Sequence, residues 1–121
     1  MTEPLASFAR AIARLRDVLR EPESMTQREA AIPCFEFVFE LGWKSIQQAL
    51  RERGVDAVTP RDCLSRAWRL GWIADEDVWL DMLRDRNTTS HTYKPEIALQ
   101  VYQRLPSHCD LAASLLEHLR S

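Results

Sequence analysis

The sequence has 121 residues and a mass of 14.0 kDa, which fits one domain spanning residues 1–121. Hydrophobic residues make up 45% of it and charged residues 28%, a composition that excludes a disordered or low-complexity chain. With 16 Lys and Arg against 18 Asp and Glu, the formal charge is −2, so any site for a polyanion must be a local patch. The presence of only three glycines argues against turn-rich β folds and glycine-rich phosphate loops.

The sequence carries no pattern typical of export, membrane insertion or metal binding. Met1–Pro4 lacks a basic stretch followed by an apolar one, and the longest apolar run, Phe35–Trp43, is interrupted by two glutamates. Three widely separated cysteines are typical of a reducing compartment, so we expect a cytoplasmic protein without a membrane span. His108 and Cys109 have no second ligand pair. We therefore expect a surface histidine beside a half-buried cysteine, no metal and no cofactor.

Two long amphipathic helices are predicted in the first half of the chain. The first spans Pro4–Arg20, where apolar residues recur every three to four positions. The second spans Thr26–Arg53, because Thr26 and Glu29 have the spacing of a capping box and Gly54 is a typical helix stop. Pro33 is expected to delay the regular start of this second helix or to kink it.

The second predicted helix is apolar on two sides. At 100° per residue, one wide apolar stripe can face the core, whereas Phe37 and Leu41 fall on roughly the opposite side. Glu36, Glu40 and Lys44 line a polar strip between them. A helix with two apolar faces is usually buried twice, so we expect a second copy of the chain or a different subunit to cover the outer face.

Three further helices complete the predicted fold. Thr59–Asp62 has Thr at the N-cap and Pro at the first helical position, and this short helix closes near Gly71. Asp75 can cap a fourth helix, and a fifth begins near Pro95 and is expected to be kinked or divided by Pro106. The four tryptophans are predicted to anchor the core and an interface. We predict an all-α, up-and-down bundle of four or five helices that dimerises through helix faces.

The segment Asp85–Tyr93 does not follow an ordinary amphipathic pattern. On a continued fourth helix, Arg86 falls in the middle of the apolar stripe, where a guanidinium needs a charged partner or a cavity. Asn87–Ser90 are poor helix formers. An ideal helix places His91 about 140° around the axis from Arg86, whereas a break in this run would let both side chains converge on one pocket.

An arginine and a histidine in one pocket support a specific reaction. Histidine titrates near neutral pH and can move a proton to or from a ribose 2′-hydroxyl, while arginine binds the adjacent phosphate as its negative charge grows. Together they could cleave RNA without a metal ion. The alternative is a partly buried Arg86 paired with Asp81 or Asp85, beside a capping His91.

Five blocks of the sequence resemble the nucleotidyltransferase substrate-binding protein family. The blocks are Phe35–Lys44, Thr59–Asp62, Trp68–Gly71, Trp79–Leu83 and Arg86–Tyr93. Their order and spacing make the resemblance specific, and it covers roughly residues 25–105. This family belongs to the HEPN superfamily of helical bundles. Arg86, Asn87 and His91 are similar to the HEPN motif, and Tyr93 is similar to its extended form in HepT toxins.

The resemblance implies a homodimer in which two motifs meet in a cleft and form one composite ribonuclease site. His91 would be the general acid and base, Arg86 would bind the phosphate, and Asn87 would position groups in the pocket. The substrate would be RNA such as tRNA. The implied partner is a minimal nucleotidyltransferase that acts as antitoxin by adding AMP to Tyr93.

The same family supports a second, non-catalytic interpretation. The chain would then be the substrate-binding subunit of a two-component nucleotidyltransferase, similar to the helical domain of kanamycin nucleotidyltransferase. The sequence also leaves the role of two carboxylates open. Glu36 or Glu40 could orient Arg86, or they could form a solvated ladder with Lys44.

Overall fold

The computed structural model describes residues 3–91 and 94–121, which form five helices with no strand between them. The helices are α1 (Glu3–Arg20), α2 (Met25–Glu52), α3 (Pro60–Arg69), α4 (Glu76–His91) and α5 (Pro95–Arg120). Helices α1, α2 and α5 pack against one another, α3 and α4 pack on α2 and on each other, and α4 also contacts α5. The predicted all-α bundle is confirmed. Among the described helices, none combines the length and the hydropathy that a membrane span requires.

Most predicted helix boundaries agree with the structure. Thr59 accepts a hydrogen bond on Oγ1 from the backbone N of Asp62 (3.1 Å), and the Asp75 carboxylate accepts one from the backbone N of Asp77 (2.9 Å). Gly54 and Gly71 follow α2 and α3 with φ of 79°, a conformation that residues with a Cβ rarely adopt. These residues therefore begin or end helices as their residue types predict.

The start of α2 differs from the prediction. Ser24, not Thr26, is the N-cap: its backbone is extended (φ −157°, ψ 170°) and its Oγ accepts a hydrogen bond from the backbone N of Gln27 (3.0 Å). Thr26 lies inside the first turn. Both residue types cap helices well, so local pattern alone did not separate them.

Neither internal proline divides its helix. Pro33 lies within α2 and Pro106 within α5, and both are exposed. A proline in a helix removes one backbone hydrogen bond, and here its ring points to the solvent side while neighbouring residues such as Phe35 and Leu105 remain buried. Burial of the opposite face therefore outweighs the local cost of each proline.

Helices α1 and α2 approach each other closely at a glycine. Phe8 of α1 is fully buried, and a Cβ added to Gly42 of α2 would lie 3.2 Å from its Cε1 atom. The ring of Phe8 therefore occupies the space that a side chain at position 42 would need. This contact sets the spacing of the two helices that form one side of the core.

We expect Gly42→Leu to reduce the free energy of unfolding by about 1–3 kcal/mol, because the larger side chain overpacks the α1–α2 contact. Urea unfolding followed by circular dichroism measures this loss. The double variant Gly42→Leu/Phe8→Ala is the control. Removing the ring leaves room for the new side chain, so the double variant should lose less free energy of unfolding than the two single variants lose together. Strict additivity of the two losses would contradict this account of the contact.

Candidate active site

Helix α4 continues through the segment in which the sequence left both a continued helix and a break open. Residues Asn87–Ser90 are helical, and His91 is the last residue of α4. Two side chains hydrogen-bond within the helix, since Thr88 Oγ1 donates to the carbonyl of Arg84 (2.8 Å) and Thr89 Oγ1 lies 3.2 Å from the carbonyl of Arg86. The helical path places Arg86 and His91 about 140° apart around the axis. One chain therefore does not bring these two side chains into one pocket through a break.

Glu36 of α2 holds the end of α4 in place. Its Oε2 accepts hydrogen bonds from Thr89 Oγ1 (2.7 Å) and Ser90 Oγ (2.8 Å). These bonds join positions more than fifty residues apart in the chain. Glu36 thus contacts the polar residues of the motif, not the arginine that the sequence proposed as one of its partners.

Arg86 is half-buried against α2. Its side chain is 23% exposed, its Nη2 lies 3.5 Å from Glu40 Oε2, and its Cζ lies 5.5 Å from the ring centroid of Phe39. The Nε atom is buried and has no hydrogen-bond partner among the described residues. The alternative pairing with Asp81 or Asp85 is not found, since Asp81 pairs with Arg84 and Asp85 with other residues. Arg86 therefore has one ionic contact and an unused donor.

Glu40 joins the two roles that the sequence left open. Besides Arg86, it accepts a hydrogen bond from Trp43 Nε1 (3.1 Å) and pairs with Lys44 Nζ (3.2 Å). Burial acts to raise the pKa of Glu40, but the hydrogen bonds from Trp43 and Lys44 and the charges of Lys44 and Arg86 outweigh burial and lower it. Glu40 is therefore an ionised carboxylate that both orients Arg86 and belongs to a Glu–Lys ladder.

Asn87 and His91 are both exposed and lie on one side of α4, because they are four residues apart. Neither side chain makes a hydrogen bond to the described part of the chain. Asn87 lies about 100° around the axis from Arg86, between the directions of Arg86 and His91. Tyr93, the predicted modification site, lies outside the described residues.

The sequence did not predict an ionic cluster next to the motif, in which Asp85 and His108 are buried and Arg104 is partly exposed. Arg104 of α5 donates from Nε and Nη2 to the carboxylate of Asp85 (2.9 and 2.8 Å), and His108 Nε2 lies 2.8 Å from Asp85 Oδ2. His108 stacks on Phe35 with ring centroids 5.3 Å apart. The expectation of a surface histidine is wrong, because His108 is 5% exposed and Cys109 is also buried. Arg104 and His108 share one side of α5, and this i, i+4 spacing was the available signal.

The Asp85–Arg104–His108 cluster keeps Asp85 charged. Burial acts to raise the pKa of Asp85, but hydrogen bonds from His108 and Arg104, together with their charges, lower it to about 2. His108 Nδ1 is buried and has no partner among the described residues. Because Asp85 directly precedes Arg86, the cluster fixes the rotation of α4 from the α5 side.

Comparison with known proteins agrees with the resemblance in the sequence. Residues 3–121 match the family model described as nucleotidyltransferase substrate binding protein like. The chain is similar to a solved structure from Thermus thermophilus (TM-score 0.88, 34% identity, 94% of this chain and 99% of that one). It is also similar to a Haemophilus influenzae structure described as revealing the fold of a substrate binding domain of a nucleotidyltransferase (TM-score 0.86, 30% identity, 97% and 99%).

A relative in Haemophilus influenzae strain Rd carries a functional name. That protein, probable ribonuclease HepT, is 37% identical over 95 residues, which cover 74% of this chain. The matched region spans 65% of the length of that relative. These matches confirm the family resemblance that the motif blocks predict.

We expect Asp85→Asn to lower the free energy of unfolding at pH 7 by about 1–3 kcal/mol, because it removes the buried charged acceptor that contacts Arg104 and His108. Asp81→Asn is the matched control: it removes the exposed pair with Arg84 and should cost less than about 1 kcal/mol. Thermal unfolding of both variants measures the difference. Equal losses would contradict the role of the buried cluster.

The same cluster predicts a pH dependence. The pKa of Asp85 in the folded state is about 2, below its ordinary value of 3.8, so its stabilisation is present above about pH 4 and is lost as the pH falls towards 2. This pH-dependent part of the free energy of unfolding is about 2 kcal/mol, and the Asp85→Asn variant should lack it. Wild type and variant should therefore converge in stability on acidification.

Proposed function

Because the chain belongs to the nucleotidyltransferase substrate binding protein like family, we propose that it is an endoribonuclease whose site is formed by Arg86 and His91 of two copies. One observation carries the proposal: Glu40 holds Arg86 half-buried on one side of α4, whereas His91 is exposed on another side of the same helix. A fixed cation from one copy and an accessible imidazole from the other suit phosphodiester transfer. The name of the Haemophilus influenzae relative, probable ribonuclease HepT, supports the same function.

The proposed reaction is an internal transfer at phosphorus. The imidazole of His91 removes the proton of a ribose 2′-hydroxyl, and the 2′-oxygen attacks the adjacent phosphorus. The bond from phosphorus to the 5′-oxygen breaks, and the His91 of the second copy donates a proton to that oxygen. The products are a 2′,3′-cyclic phosphate and a 5′-hydroxyl end. Arg86 binds the non-bridging oxygens, whose negative charge increases in the transition state.

Two features of the chain support a site made by two copies. The unbroken helix α4 directs Arg86 towards α2 and leaves His91 on a different side, so a second copy supplies the missing partner. Phe37 of α2 is 63% exposed, and it lies one residue from Glu36, which contacts the motif. An exposed phenyl ring next to the site is an apolar surface that a second copy can cover.

The remaining motif residues have supporting roles in the proposed site. Glu40 orients Arg86, and Asn87, which lies between the directions of Arg86 and His91, binds the phosphate or a ribose hydroxyl from its amide. Tyr93 follows His91 by two residues. A nucleotidyltransferase partner inactivates the site by transferring AMP from ATP to the Tyr93 hydroxyl, with release of pyrophosphate.

A second function is favoured by one specific observation. The Haemophilus influenzae structure that matches 97% of this chain is described as a nucleotidyltransferase substrate binding domain. As a substrate-binding subunit, the chain presents an acceptor molecule to the partner nucleotidyltransferase on the surface that carries Arg86 and His91, and it cleaves no RNA. The two functions share the fold and the partner, and they differ in whether the chain alone cuts RNA.

Purified protein should cleave total tRNA in the presence of a chelator and leave 2′,3′-cyclic phosphate ends. His91→Ala should reduce the rate roughly 10²- to 10⁴-fold, because proton transfer is lost. Arg86→Ala should also inactivate, whereas Arg84→Ala, an exposed neighbour, should cleave like wild type. Absence of cleavage by folded wild-type protein would favour the substrate-binding function.

The two-copy site is tested with mixed dimers. Wild type and the double variant Arg86→Ala/His91→Ala are co-expressed with different tags, and the mixed dimer is isolated on both tags. If both copies supply residues to the site, the mixed dimer should retain far less than half of the wild-type activity. Half activity would show that each chain carries a complete site.

Phe37→Glu tests the same arrangement independently. A charge at the exposed ring should convert the dimer to a monomer and abolish cleavage, since the second copy is lost. Sedimentation and the cleavage assay on the same sample measure both effects. A monomer that cleaves at the wild-type rate would contradict the proposed site.

A further inference from the structure

Positive charge is concentrated in one segment of the chain that does not include the motif. Residues 51–72, which contain the end of α2 and all of α3, carry five arginines against three acidic residues. The rest of the sequence has 11 Lys and Arg against 15 Asp and Glu. The formal charge of −2 therefore conceals a local basic region in an otherwise acidic chain.

Most of the arginines in this region lack an ionic partner. Arg66 pairs with Asp62 (3.3 Å), but Arg51, Arg53, Arg61 and Arg69 are exposed and form no ion pair within residues 3–91 and 94–121. In the rest of the described chain, a single arginine forms no ion pair. Four of five such guanidinium groups thus lie within one stretch of 19 residues, and their charges are available to a ligand.

Two indole rings accompany these arginines. Trp68 is 46% exposed, and Arg53 lies over the ring of Trp72 with its Cζ 5.3 Å from the ring centroid. Arg61 and Trp68 are seven residues apart and share one side of α3. Trp79 is buried, as expected of a core anchor, whereas Trp68 lies on the surface. We call these six residues the Arg–Trp surface: Arg51, Arg53, Arg61, Trp68, Arg69 and Trp72.

We propose that the Arg–Trp surface binds a single-stranded segment of the RNA substrate, outside the cleavage site. This inference rests on the proposed ribonuclease function and adds a substrate-anchoring site to it. Unpaired guanidinium groups bind phosphates in a bidentate manner, and an exposed indole stacks on an unpaired base. A single RNA strand carries both phosphates and unpaired bases, whereas an acidic protein surface carries neither.

The surface lies at a fixed distance from the motif because α2 connects them. Glu40, which holds Arg86, and Arg53 are 13 residues apart, which corresponds to roughly 20 Å along the helix axis. A strand bound at both places therefore spans several nucleotides between the anchor and the cleaved bond. Loss of the anchor should weaken substrate binding without changing the chemical step.

The experiment measures RNA binding without turnover. In a His91→Ala background, the dissociation constant for a fluorescent single-stranded RNA is determined by anisotropy at several salt concentrations. Arg53→Ala/Arg69→Ala should weaken binding at least tenfold and reduce the slope of log Kd against log salt by about one to two. Trp68→Ala should weaken binding roughly 5- to 100-fold with the salt slope unchanged. In active protein the same changes should raise KM and leave kcat unaltered.

The control pair is Arg20→Ala/Arg120→Ala, which removes two exposed arginines elsewhere and gives the same net charge. Equal weakening by both pairs would overturn the inference, because net charge alone would then explain binding. The inference would also be overturned if none of these changes affected RNA binding while Arg53→Ala/Arg69→Ala weakened capture of the partner nucleotidyltransferase. Specific RNA binding by a wild-type protein that cleaves nothing would support the surface and reject the ribonuclease function.

Discussion

The buried carboxylate of Asp85 determines how the C-terminal end of α4, which carries the motif, is held. The last buried apolar residue of α4 is Leu83, so beyond it the helix has no hydrophobic face to dock. Asp85 instead binds Arg104 and His108 of α5, and Glu36 of α2 binds Thr89 and Ser90. The motif is thus positioned by directional polar contacts, which fix orientation more sharply than apolar packing does.

Asp85 and Arg86 are adjacent residues that bind in different directions. They lie about 100° apart on the helix, so Asp85 reaches α5 while Arg86 reaches Glu40 of α2. A rotation of α4 would break one of these two ionic contacts. Ion pairs with a partly exposed member contribute little net stability, so the effect of these two pairs is to select one arrangement of α4. The Nε of Arg86 is buried and has no partner among the described residues, which is a cost of holding the guanidinium against α2.

The sequence predicted the parts of the fold that depend on local chemistry. Thr59 and Asp75 cap their helices as expected, and Arg86 was identified because a guanidinium interrupts an apolar stripe. Errors arose where distant residues decide. Ser24 caps α2 in place of Thr26 where Gln27 also donates to the carbonyl of Val18 in α1 (2.9 Å). The sequence left the path of Asn87–Ser90 open, and in the structure Glu36 accepts hydrogen bonds from two residues of this stretch. The burial of His108, which the sequence did not predict, accompanies its contact with Asp85, 23 residues earlier. Neither contact can be predicted from a short stretch of sequence, because its partners lie far apart in the chain.

The continuity of α4 links structure and control in the proposed enzyme. An unbroken helix keeps Arg86 and His91 of one chain on different sides, so a lone chain has the catalytic groups but not their juxtaposition. Assembly then becomes a requirement for activity, and the cleavage rate depends on protein concentration as well as on the chemistry of each residue. In the proposed enzyme, a partner that covers the exposed ring of Phe37 would prevent assembly, whereas the proposed modification of Tyr93 would block the assembled site.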